Sequence, residues 1–271
     1  MEILYFYPRW GSENLSWEAF FQNAAEDGFD GVEICVPVEN DEKQLVRRLL
    51  VKTGLKLIAQ QWLTLEENDF EKYKIKFEAC IRNSVDLKPL FINSQTGRDY
   101  FSFEQNGEII DLATRLEKEL DIAIVHETHR GKMAYSPGIT QQYFDRYPEL
   151  KITADFSHWC NVTESYLQNF SQEVEETISR SVHIHARVGH PEGPQVINPK
   201  APEWEEALNF HLNWWDQIVE LHSTSGNQFL TITPEFGPKP YMTTIPFLNN
   251  EIADQKELNI WMRNLLKERY N

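Results

Sequence analysis

Eight short apolar runs alternate with helical stripes from one end of this chain to the other, and that alternation narrows its possible folds more than any other feature. The first run, Ile3 to Tyr7, is followed by Ser16, an N-cap residue. Trp17, Phe20, Phe21 and Ala24 then have the i, i+3, i+4, i+7 spacing of an amphipathic helix, which Gly28 stops. GVEICV (31–36) is a second strand, and Asn40 or Asp41 opens a helix that Gly54 closes. LKLIAQQ (55–61) is a third, with Phe70, Tyr73, Phe77 and Ile81 marking the helix after it. PLFIN (89–93) is the fourth, before a helix carrying Ile109, Leu112, Leu116 and Leu120. The last four strands lie in IAIVHETHRG, LKITADFSHW, SVHIHARVG and LTITPEF, with helices over 139–147, 163–179, 203–224 and 251–269.

Repeated strand–helix units impose a parallel sheet with right-handed crossovers. Eight of them in 271 residues favour a single closed (β/α)8 TIM barrel, one α/β domain over 1–271, rather than an open doubly wound sheet. An open sheet of that kind carries a glycine-rich phosphate loop after its first strand. Here that stretch reads PRWGSEN, with neither GxGxxG nor GxxxxGK[ST]. A hydrophobic content of 41% suffices for a sizeable core.

Charge narrows the partners. Lys plus Arg number 26 against 42 Asp plus Glu, a formal charge of −16, which argues against a phosphate backbone as ligand. No apolar span approaches the roughly 18 residues a membrane helix needs, and MEILYFYPRW reads as a strand rather than a secretory leader. Cys35, Cys80 and Cys160 are widely spaced without a CxxC, so a reduced, cytoplasmic setting is expected. A homo-oligomer is compatible with all of this.

The chemistry sits at the ends of the last four strands: Glu127, Asp155, His185 and Glu235. In one parallel barrel these side chains converge at the C-terminal edge of the sheet. Taken singly, such an acid caps the next helix or pairs with a surface cation. Four at consecutive strand ends fit that reading poorly, because buried carboxylates cost several kcal/mol each unless a cation or hydrogen bonds compensate. Three carboxylates and one imidazole suit one divalent ion, Mn, Mg, Co or Zn, rather than a thiolate-loving metal.

Neighbouring residues supply a binding surface. His183 points to the same side as His185, one layer down, as a core or ligand-supporting histidine. His158 lies three beyond Asp155, either contacting substrate or capping a helix. His126 points away from Glu127, into the helix layer. His129, Arg130 and Lys132 follow in a loop that can hold a polyhydroxyl or anionic ligand, or be solvated. Trp10, Trp62 and Trp159 fall just after strands one, three and six, where aromatic faces stack on sugars or pack under loops. Trp204, Trp214, Trp215 and Trp261 are core. The irregular stretch 187–202 is expected to cover the site, with Gly189 and Gly193 as hinges and Arg187 and His190 reaching the ligand.

At these residues the chain resembles the xylose isomerase-like barrel superfamily, in the sugar phosphate isomerase/epimerase group that includes ketose 3-epimerases and hydroxypyruvate isomerase. The resemblance covers nearly the whole length. ADFSHWCNVTE (154–164) resembles the family's Asp-x-x-His with a following Asn and acid, implying Asp155 as a metal ligand and His158 as a substrate contact. HIHARVG resembles the His-x-His strand end, implying His185 as ligand. Glu127 and Glu235 fall on the glutamates that bind the metal and exchange protons in the epimerases. Two positions depart from the epimerases: Met133 stands where they carry a Glu, and Pro191 where they carry an Arg, with Arg187 nearer the strand. The expectation is a metal-dependent isomerase or epimerase of a small sugar or hydroxy-ketone. A metal-dependent sugar or polyol dehydratase and a non-catalytic sugar- or metal-binding barrel are the rivals. An endonuclease, also represented in the superfamily, would need a basic face and more ligands.

Overall fold

The computed structural model describes residues 1–62, 67 and 69–270. Eight parallel strands close into a barrel in sequence order: β1 (Glu2–Pro8), β2 (Gly31–Ile34), β3 (Lys56–Gln61), β4 (Ile92–Ser94), β5 (Ile124–Glu127), β6 (Ile152–Ala154), β7 (Ser181–Ala186) and β8 (Phe229–Pro234). β8 pairs back onto β1 with Leu4 opposite Thr231, so the (β/α)8 expectation holds. Outside the barrel run α1 (Trp17–Glu26), α2 (Asn40–Thr53), α3 (Phe70–Ser84), α4 (Phe103–Leu120), α5 (Pro137–Arg146), α6 (Phe156–Thr163), α7 (Ser171–Arg180), α8 (Glu205–Thr224) and α9 (Gln255–Tyr270).

Local signals explain most boundaries. The Ser16 hydroxyl accepts the Ala19 N–H at the start of α1. Gly54 ends α2 in the left-handed region at φ 71°, where a side chain would be strained. The expected stripes face inward: Phe20, Phe21 and Ala24 on α1, and Tyr73, Phe77 and Ile81 on α3, are buried between helices and strands. Inside the barrel the packing is layered. Leu4, Phe6, Ile58, Phe91 and Val125 form an apolar floor. Above it lie buried polar residues from several strands, including Glu33, Asn93, Thr153, His183 and Thr233. That polar layer carries the site.

Three expectations need correction. The helix expected over 163–179 is two: Asp155 caps α6, which ends at Glu164 (φ 49°), and α7 begins only at Ser171. The strand-end signal at Asp155 and the helix-start signal are one residue, so periodicity placed the helix too late. The helix expected from 251 starts at Gln255, because Asn250–Glu251 pair with Thr244–Ile245 in a small hairpin (β9 and β10) and Asp254 caps the helix by accepting the Glu257 N–H. The 187–202 stretch is pinned rather than hinged. Val188 and Val196 are fully buried, Gln195 makes reciprocal hydrogen bonds with the Gly237 backbone, and Gly189 lies so close to Ser157 that a Cβ there would sit 2.7 Å from its backbone. Glycine at 189 serves close approach, not motion.

Candidate metal centre

Strand register brings the four expected residues together. Glu127 lies opposite Thr153, and His185 opposite Thr233. Asp155 and Glu235, two residues beyond those threonines, therefore face the same interior one step higher. One ligand atom from each of Glu127, Asp155, His185 and Glu235 lies within 4.8 Å of the others, and all four residues are buried. His185 Nδ1 stands 2.9 Å from Glu235 Oε2 and 3.5 Å from Glu127 Oε1.

The donor set fits a divalent ion. Both carboxylate oxygens of Glu127 and Nδ1 of His185 are buried without a hydrogen-bond partner among the described residues. Carboxylates crowded together in a dry interior repel one another unless a cation lies among them. Burial pushes the Glu127 carboxyl up to about 7, the His185 attraction only partly opposing it. Burial works against charge on His185 too, but the Glu235, Glu33 and Glu127 carboxylates outweigh it and raise its pKa well above the ordinary value. Three carboxylates and an imidazole are the hard-to-borderline set that Mn, Mg, Co and Zn accept.

Asp155 is different, because the protein already satisfies it. Its Oδ1 accepts from the Ser157 amide at 3.0 Å and hydroxyl at 2.5 Å, and its Oδ2 takes the Arg187 guanidinium. Burial raises its pKa and Arg187 opposes the rise. Arg187, fully buried, also donates to Ser157 Oγ at 3.0 Å and to His158 Nε2 at 2.6 Å, and reaches within 3.7 Å of Glu235. A guanidinium only donates, so His158 Nε2 accepts and Nδ1 carries the hydrogen as a buried, unpartnered donor. The His129 ring lies 3.9 Å from that of His158 and donates Nδ1–H to the Arg130 carbonyl at 2.5 Å, leaving a lone pair on Nε2. Burial, aided by nearby cations, keeps both imidazoles neutral, their pKa values well below the ordinary one.

Above this centre opens a cavity of about 200 Å³ lined by Trp10, Gln60, Trp62, Gln95, His129, Arg187, Glu235 and Tyr241. Trp10, Trp62, His129 and Arg187 thus stand where the sequence expected a binding surface. His158 lies behind Arg187 inside α6, and the capping role belongs to Asp155 instead. His190 is not brought to the cavity. Its backbone bridges Gly193 and its ring packs on Trp204, 4.7 Å between centroids, because the loop folds back on itself. Trp159 is core, donating to the Ala134 carbonyl. Lys132 is not solvated: its ammonium is buried without a hydrogen bond among the described residues, and burial lowers its pKa to about 7.

Sequence reasoning missed Glu33, Gln60, Gln95 and Tyr241. A charged residue inside the apolar GVEICV and the glutamine ending LKLIAQ were visible signals; Gln95 and Tyr241 lie in loops with none. A larger surface groove of about 910 Å³, between α7 and α8, is lined by residues such as Tyr166, Phe210 and Trp214 and includes none of the candidate residues.

The chain resembles solved barrels, several of them described as xylose isomerase-like. The chain superposes on a probable 3-DHS dehydratase, AsbF, involved in petrobactin synthesis in Bacillus anthracis, with TM-score 0.62 and 16% identity over 99% of this chain and all of that one. It matches a xylose isomerase domain-containing protein of Salmonella typhimurium with TM-score 0.65 and 16% identity, covering 97% and 96% of the two chains. A xylose isomerase-like TIM barrel protein of Mycobacterium smegmatis, solved in complex with magnesium, matches with TM-score 0.60 and 10% identity over 99% and 98%. No protein-family profile and no curated protein sequence matches the chain. The chain therefore has the xylose isomerase-like barrel fold, and identities this low carry the fold alone.

Proposed function

We propose that this protein is a divalent-metal-dependent isomerase or epimerase of a small sugar or hydroxy-ketone, acting by proton abstraction next to a carbonyl. The observation that carries the reading is the convergence of Glu127, whose two oxygens lack hydrogen-bond partners among the described residues, with His185 Nδ1 and Glu235 beneath an aromatic- and amide-lined cavity. Glu127, Asp155, His185 and Glu235 would hold the ion. When bound, a divalent ion supplies Lewis-acid polarisation of a carbonyl oxygen. Glu127 and Glu235, arriving from opposite sides of His185, are the groups placed to take and return a proton at carbon. Gln60, Gln95 and His129 offer donors and acceptors to hydroxyls, while Trp10, Trp62 and Tyr241 offer faces to C–H bonds. Arg187 holds Asp155 in place and closes one wall of the cavity, keeping water from the reacting carbon.

A second reading is dehydration, the activity described for one of the solved barrels this chain resembles, and it begins with the same proton abstraction. Incubating the metal-loaded protein with a panel of three- to six-carbon sugars and hydroxy-ketones in deuterated buffer tests both. Deuterium uptake at carbon without loss of mass supports isomerisation, and loss of water marks a dehydratase. Exchange that persists at full rate after chelation of the metal would sink both.

A further inference from the structure

Below the proposed ion position, Glu33 of β2 reaches across the barrel interior to four polar side chains from three other strands. Its Oε1 accepts Asn93 Nδ2 at 2.8 Å, and its Oε2 accepts Thr233 Oγ1 at 2.5 Å and faces His183 Nε2 at 3.3 Å. His185 Nε2 lies 3.1 and 3.2 Å from the two oxygens, and 3.1 Å from Asn93 Nδ2, which makes its shorter contact with Glu33 Oε1. A carboxylate only accepts, so the His185 ring must present its Nε2–H to it. His183 Nδ1 lies 2.7 Å from the Thr231 hydroxyl and 3.0 Å from the Thr231 carbonyl, so that ring is tied to β8 as well as to Glu33. With the hydrogen of neutral His185 on Nε2, the lone pair is on Nδ1, the nitrogen that faces Glu127 and Glu235.

We infer that Glu33 is the positioning residue of the metal centre: by holding His185 Nε2–H it makes Nδ1 the ligand atom and fixes the rotation of the ring. The inference rests on the metal reading above and adds a residue that does not touch the ion. Glu33 is 1% exposed and faces the Nε2 side of the His185 ring, away from the Nδ1 that meets Glu127 and Glu235, so it is no fifth ligand. Glu33, His183 and His185 also have ligand atoms within 4.8 Å of one another, but the Glu33 oxygens already accept Asn93 Nδ2 and Thr233 Oγ1 and face His185 Nε2–H, which leaves no room for a second ion there. A carboxylate on the far nitrogen also increases the basicity of a ligating imidazole, and losing such a partner typically weakens metal binding about 10- to 100-fold.

The test titrates Mn²⁺ into the chelator-treated protein and into its Glu33→Gln, Glu33→Ala and Glu33→Asp variants, reading free ion by electron paramagnetic resonance. Glu33→Ala is expected to weaken binding about 10- to 100-fold, and Glu33→Asp to recover part of it. In parallel, nitrogen NMR of the Zn²⁺-loaded, histidine-labelled parent should show His185 with a protonated Nε2 and a metal-bound Nδ1. Unchanged Mn²⁺ affinity in Glu33→Ala, or a metal-bound Nε2, overturns the role of Glu33 while leaving the metal reading intact. A parent that binds neither ion overturns the metal reading and this role with it. If the variants do not fold, the NMR assignment on the parent decides.

Discussion

Glu127→Gln should make the metal-free protein more stable while abolishing its response to metal. Both oxygens of Glu127 lack hydrogen-bond partners among the described residues, so the substitution breaks none of the described hydrogen bonds, and it removes a buried charge that the fold disfavours. Burial moves the carboxyl from 4.5 to about 7. A shift of roughly 2.5 units at about 1.4 kcal/mol each is a penalty on the order of 3 kcal/mol in the folded state. Because the folded pKa is raised, the folded chain holds a proton that the unfolded chain releases between pH 4.5 and 7. The penalty is therefore absent below pH 4.5, grows through that window and is complete above 7. With an unfolding entropy near 2.1 cal/mol/K per residue, about 3 kcal/mol over this chain amounts to a Tm change of roughly 5 °C. Thermal melts of chelator-treated protein at pH 4.5 and 8 provide the comparison. Parent and variant should coincide at pH 4.5, with the variant about 5 °C higher at pH 8. Mn²⁺ at a hundredfold excess over Kd should add about 2.7 kcal/mol to the parent and nothing to the variant. A variant that melts lower than the parent at pH 8 without metal, or that still rises with Mn²⁺, would refute the reasoning.

Three further outcomes follow from the geometry. Glu235→Gln should fold normally yet lose turnover by orders of magnitude, since one ligand charge and one proton-transfer group go together; more than half the activity remaining would remove Glu235 from the reaction. Arg187→Ala should cost about 3–5 kcal/mol in chemical denaturation, because it strands the buried Asp155 carboxylate, whereas a loss under 1 kcal/mol would show the pair to be dispensable. Burial lowers the pKa of His126 to about 3, so the folded chain refuses a proton that the unfolded chain takes up below pH 6.5. Its stabilising share should fall by roughly 2 kcal/mol between pH 6.5 and 4.5, seen as a parent-to-His126→Gln stability gap that narrows with acid; a constant gap would count against it.

Much of this was legible along the chain because strand and helix periodicities are local properties. The eight apolar runs, the Ser16 cap and the Gly54 stop specify their elements from a few neighbouring residues, and eight βα units in sequence leave little choice but a closed barrel. The four strand-end residues were legible for a related reason: in a parallel barrel every strand delivers its C-terminal end to the same face, so position in the strand alone predicts convergence. Asp155 shows the limit of local reading. One residue ends β6, caps α6 and holds Arg187, and the helix it opens was placed late because a cap and a ligand look alike in sequence.

What only the tertiary structure decided were the contacts between side chains distant in sequence. His185 meets Glu33 across 152 positions, and that contact, not the His-x-His spacing, selects which ring nitrogen faces the ion. Arg187 and His190 stand three apart in one loop, yet the first is buried against Asp155 and the second packs on Trp204, because Gly189 lets the chain close onto Ser157. Lys132, which composition would leave in water, is enclosed without a hydrogen bond among the described residues. Periodicity tells which face of an element is buried, but barrel closure alone decides which buried polar groups meet, and in a low-dielectric interior those meetings set charge, tautomer and ligand atom.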